Sequence, residues 1–140
     1  MMMDARVLII IAVLILAVVG VIYLTMSRTM TPALNRVKYQ KRWLEIENSL
    51  SRDNMASYQL AVMNADKLLD QALRDRKFKG QTMGERMKSA NSCWKNPHHV
   101  WGAHKVRNQL AHEADYALSR DIALRSLSAF KQALRDLGAF

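Results

Sequence analysis

From Val7 to Met26 the chain carries no charge: twenty positions of Val, Ile, Leu and Ala, interrupted only by Gly20, Tyr23, Thr25 and Met26. At 1.5 Å rise per residue, twenty residues cover the roughly 30 Å hydrocarbon core of a bilayer. A cleaved signal peptide has a shorter apolar region, about 7–15 residues, followed by a small-x-small cleavage site. Here the run ends in Tyr23-Leu-Thr-Met-Ser-Arg28. A buried helix of a soluble protein has a polar face, and this stretch has none. The expectation is a retained transmembrane anchor over residues 1–27, followed by a separate domain over 28–140.

That domain reads as helices. No apolar/polar alternation reaches five residues, and Val, Ile and Thr are sparse outside the anchor. Thr31-Pro32 predicts a helix start, with Tyr39, Trp43, Ile46 and Leu50 as its apolar stripe. Ser51–Asn54 reads as a turn and a new N-cap. Tyr58, Val62, Ala65, Leu69 and Ala72 form a second stripe, which Gly80 can end. Thr82-Met-Gly-Glu85 matches a capping box and opens a short helix toward Trp94. Asn96-Pro97 breaks it, and a fourth helix runs from His98 to His112. Ser119 caps a last one, with Ala123, Leu127, Phe130, Leu134 and Leu137 on one face and Gly138 at its end. Each stripe is one helix face wide. The economical architecture is therefore all-α, a single N-terminal transmembrane helix followed by an antiparallel four- to five-helix bundle. Residues 27–36 are the linker candidate.

Charge adds an orientation. The apolar run has Asp4 and Arg6 before it, and Arg28, Arg36, Lys38, Lys41 and Arg42 after it. The positive-inside rule then predicts a single pass through the cytoplasmic (inner) membrane with the C-terminal domain in the cytoplasm. The same basic run should lie against anionic headgroups, so membrane lipid is an expected partner. The whole chain is 140 residues with a net charge of +9, which suits polyanionic partners, RNA as well as lipid. Its one cysteine excludes an internal disulfide framework and fits a reducing compartment. Residues 28–140 suffice for one modest core but not for a two-lobed nucleotide-binding α/β enzyme.

Candidate chemistry concentrates in Val100–Glu113. On a helical wheel with Arg107 at zero, His104 falls at about 60°, Asn108 at about 100° and His112 at about 140°. Val106, Leu110 and Ala103 lie between about 260° and 320°. The flank opposite this narrow apolar stripe thus collects a guanidinium, an amide and two imidazoles, a side chain that changes charge near neutral pH. Arg107 and His112 meet on one ligand only if the helix frays near His112 or Arg107 uses its length. Three roles fit this flank: catalysis, a ligand or partner site without catalysis, and a purely structural tie of Arg107 and Asn108 to the Glu113–Tyr116 turn.

Arg107-Asn108-Gln109-Leu110-Ala111-His112 resembles the signature of the HEPN superfamily of small helical domains. That signature is an Arg, a polar residue directly after it, and a His after four to six intervening residues, on a late helix of a bundle. In helix order the resemblance spans Thr31 to Phe140, and in sequence only the hexapeptide. It implies either a metal-independent endoribonuclease acting as a homodimer, or a non-catalytic interaction or nucleotide-binding module. In the first case Arg107 would hold a phosphodiester, Asn108 would orient the phosphate or the histidine, and His112, with His104 as a further candidate, would move the proton. No cofactor or metal is implied. Cys93, His98, His99, His104 and His112 do not have zinc-ligand spacing. The six cations and two acids of Arg74–Lys88 read as a solvated face able to attract RNA or anionic lipid. Trp43, Trp94 and Trp101 read as core rather than base-stacking residues.

Overall fold

A computed structural model describes residues 4–28 and 31–140, and every regular element among them is helical. The helices are α1 (Ala5–Arg28), α2 (Arg36–Asn48), α3 (Met55–Asp75), α4 (Met83–Ser89), α5 (Pro97–His112) and α6 (Arg120–Asp136), with a 3-10 turn at Asn91–Cys93. Two compact units result, Met1–Thr31 and Pro32–Phe140. In the first, Ala5–Met26 is long and apolar enough to cross a membrane, and its aliphatic side chains are exposed along the whole helix.

In the second unit, α3 is the central element: α2, α4, α5 and α6 all pack on it, and α5 also packs on α6. The predicted stripes are the core. Tyr39, Trp43 and Ile46 of α2 are buried with Tyr58, Val62, Ala65, Leu69, Leu73 and Ala72 of α3, and with Ala123, Leu127, Phe130 and Leu134 of α6. Trp43 and Trp94 are buried and Trp101 packs against the core from its edge, as expected for packing residues. The C-terminus closes the bundle, with Phe140 edge-on to the Trp43 indole at 6.2 Å between centroids.

Polar clamps fix the helices. The phenol of Tyr39 donates to Asp75 at 2.7 Å. Burial and this carboxylate push the phenol above the ordinary tyrosine range. Burial pushes the Asp75 carboxyl up, but bonds from Tyr39 and Gln71 and the charge of Lys38 outweigh it, leaving it below the usual range. Glu47 accepts from the Trp43 indole and from Lys131 of α6, and the Lys131 bond holds its carboxyl low.

Four element boundaries correct the sequence expectations. Thr31-Pro32 does not start α2. Asn35 does, because its side chain accepts from the Lys38 amide, while Leu34 before it and Tyr39 after it are both buried, in the positions of a hydrophobic staple. Of the expected linker, residues 31–35 are irregular, residues 27 and 28 belong to α1, and residues 29 and 30 lie outside the described residues. Gly80 does not end α3. The Phe78 amide bonds to Leu73 and the Lys77 amide to Arg74, a Schellman closure with Lys77 at φ 58°. Phe78 packing on the core offsets the cost of a left-handed lysine. Gly80 serves a later need: a Cβ there would lie 2.6 Å from the Arg86 backbone nitrogen. The helix expected to run toward Trp94 stops at Ser89, where the chain tightens into the 3-10 turn, and α5 begins on Pro97 itself with Asn96 as cap. The capping box at Thr82–Glu85 forms as read, and the two backbone amides at Gln81 and Thr82 hold the Glu85 carboxyl low. Gly138 sits at φ 82° in the Schellman closure of α6.

Candidate functional site

The polar flank of α5 faces α3, and the residue it meets is Asp66. Only 3% of Asp66 is exposed. One carboxylate oxygen lies 2.8 Å from Nδ1 of His104, and the other 3.2 Å from Nε of Arg107. The second contact is an ion pair, since the Arg107 Nε–H has no aligned hydrogen bond. Arg107 Nη1 donates to Asn108 Oδ1 at 3.1 Å. The Arg107 side chain remains 26% exposed at this point. Because Nδ1 of His104 is engaged by Asp66, its other nitrogen, Nε2, is the one left for a ligand. The Trp101 ring stands edge-on to this imidazole at 6.3 Å.

One turn along α3, Asp70 holds two guanidiniums. Arg86 approaches it at 2.8 and 2.7 Å, and Arg74 at 3.0 Å. Arg86 is 5% exposed and also donates to the carbonyls of Gly80 and Gln81, which pins the loop before α4 to α3. The basic run Arg74–Lys88 is therefore not a uniform solvated face. Arg74 and Arg86 are spent on Asp70, and Arg76 reaches the Leu137 carbonyl at the end of α6.

Asp66, Asp70, His104, Arg107, Asn108 and His112 all line one open groove of about 1120 Å³, bordered by Arg42 and Glu45 of α2 and by Thr82-Met83-Gly84 at the start of α4. The four residues singled out from sequence thus share a groove but not a contact. His104 and Arg107 are brought together on Asp66 and Asn108 joins them through Arg107, whereas His112 is exposed at the last position of α5. The helix explains the difference. Arg107 and His104 are about 60° and less than one turn apart, while Arg107 and His112 are about 140° apart. The structural tie of Arg107 runs to α3 and not to the Glu113–Tyr116 turn, because the guanidinium reaches a buried carboxylate across the helix interface, and Asn108 bonds to Arg107 itself.

Asp66 is the residue that sequence reasoning missed. It falls four positions after Val62 and three before Leu69, on the edge of the α3 stripe. A carboxylate there is buried on folding and must find a partner, which was the available signal. No family model, curated protein or solved structure matches this chain.

Proposed function

We propose that the chain is a membrane-anchored, HEPN-like domain that cleaves RNA in the α3/α5 groove without a metal. The observation that carries this reading is the state of Arg107. Asp66 and Asn108 fix the guanidinium at the groove, yet the side chain stays 26% exposed there and can meet a phosphate oxygen. Neighbouring Arg42 and Lys67 add positive potential along the same groove.

The reaction needs nothing beyond side chains. The 2′-oxygen attacks the adjacent phosphorus as a histidine takes its proton, the bond from phosphorus to the 5′-oxygen breaks, and the leaving oxygen receives a proton. The products end in a 2′,3′-cyclic phosphate and a 5′-hydroxyl. Arg107 stabilises charge developing on the phosphate, and Asn108 orients it. His112, the solvent-facing imidazole, is the proton carrier. His104 with Asp66 positions Arg107. Along α5, His104 and His112 are about 12 Å apart, too far to serve one phosphodiester together. A second copy in a homodimer would bring the second imidazole.

A second reading has its own observation. Both oxygens of Asp66 are satisfied inside the fold, as in a cluster that ties α5 to α3, and the domain is then a tethered binding module. The two separate on the full-length protein in detergent with labelled single-stranded RNAs. Cleavage that survives chelator and is abolished by H112A at unchanged thermal stability supports the nuclease. Intact RNAs of varied sequence leave the binding module.

A further inference from the structure

Helix α2 has three faces, and only two are used. Tyr39, Trp43 and Ile46 point to the core, and Arg42, Glu45 and Ser49 border the groove. With Arg36 at zero on the wheel, the remaining arc from about 0° to 140° holds Arg36, Glu47, Gln40, Leu44, Val37, Asn48 and Lys41. All of these are exposed, Val37 by 76% and Leu44 by 55%. Glu47, the one acid on the arc, is taken by Lys131. Arg36 and Lys41 meet no carboxylate among the described residues. An outward stripe of aliphatic side chains flanked by uncompensated cations is the composition of a helix that lies in a membrane interface.

We propose that this outer face of α2 docks on an anionic lipid surface, with Val37 and Leu44 entering the headgroup boundary and Arg36 and Lys41 pairing with lipid phosphates. The occupant is argued from chemistry and from the chain. Two cations flank the two aliphatics, as a negative surface requires. Only residues 29–35 separate α2 from α1, the one helix among the described residues apolar enough to span a bilayer, so covalent connection holds this face at high effective concentration near lipid. The groove borders a different flank of α2, so docking leaves it open to solvent. The proposal rests on the reading of α1 as a membrane span, and the test separates the two.

The full-length chain carrying C93S is reconstituted in vesicles with a single environment-sensitive fluorophore, either at Ile15→Cys in α1 or at Gln40→Cys on the docking face. Nitroxide lipids quench by depth. Expected are quenching of position 15 from the bilayer centre in every vesicle, and quenching of position 40 from headgroup depth in phosphatidylglycerol-containing vesicles but not in phosphatidylcholine alone. K41Q should weaken the second signal by about five-fold, and L44D should remove it. Quenching at 15 without quenching at 40 in anionic vesicles overturns the docking and spares the span. No quenching at 15 overturns both. Shielding of position 40 from aqueous iodide in phosphatidylcholine vesicles, without quenching by the nitroxide lipids, means that protein covers the face, and it also overturns the docking.

Discussion

Asp66→Asn tests the cluster that organises the groove. The substitution keeps shape and volume but removes the charge that His104 and Arg107 share. An amide can still accept from one of them, while its own N–H groups turn toward the other donor. Removing one partner of a fully buried ion pair costs about 3–5 kcal/mol, because the remaining charge is left without compensation. Here the carboxylate is buried at 4% side-chain exposure and His104 at 12%, but Arg107 is 26% exposed and regains some water. The residual acceptor offsets a further part. The expected loss is therefore about 2–3 kcal/mol. At roughly 4–8 °C per kcal/mol for a domain of this size, the melting temperature should fall by about 10–20 °C. Circular dichroism melting of a fragment starting at Thr31 measures it, and His104→Ala combined with Asp66→Asn should lose less than the sum of the single losses, since the two remove one interaction. A shift of only a degree or two, or strict additivity, would refute the description of Asp66 as the shared buried partner.

Phe130→Ala, at a fully buried position of α6, should cost about 3–5 kcal/mol, and Leu127→Ala about 2–5 kcal/mol, in the same melting experiment; near-neutral values at both would mean that this face is not the core. Tyr39→Phe should cost about 1 kcal/mol at neutral pH through the lost bond to Asp75. Because the folded phenol titrates above its unfolded value, its contribution is complete below about pH 10 and fades above it, by up to about 1.4 kcal/mol per pH unit. Denaturant titrations from pH 9 to 11 should thus show the wild type losing stability faster than Tyr39→Phe, and parallel losses would contradict the raised phenol.

The helices were legible because each carries an apolar stripe at 3.6-residue spacing and side-chain caps that need only local sequence. Asn54, Thr82 and Ser119 cap as their residue types lead one to expect. Boundaries failed where tertiary packing chose between local options. Leu34 and Asn35 won over Thr31-Pro32 because Leu34 enters the core, and Lys77 took a left-handed conformation because Phe78 had a place to pack. On α5 the polar flank was legible from the wheel, but its partner was not. Asp66 lies 38 residues upstream of His104, and no local pattern links a carboxylate on α3 to an imidazole and a guanidinium on α5. For the same reason Arg86 looked like surface charge until Asp70 was placed beside it, while Arg74 on the same carboxylate stays exposed.

The proposed activity requires Arg107 and its groove to act on an RNA phosphodiester through the neighbouring 2′-hydroxyl. The most direct measurement is the end chemistry of RNA incubated with the full-length protein in the presence of chelator, read by mass spectrometry beside the same strand with 2′-deoxy sugars and beside the R107A protein. The account predicts 2′,3′-cyclic phosphate and 5′-hydroxyl ends with the wild type, and no cleavage of the deoxy strand or by the variant. Ends bearing a 5′-phosphate, cleavage of the deoxy strand, or undiminished cleavage by the variant would contradict it.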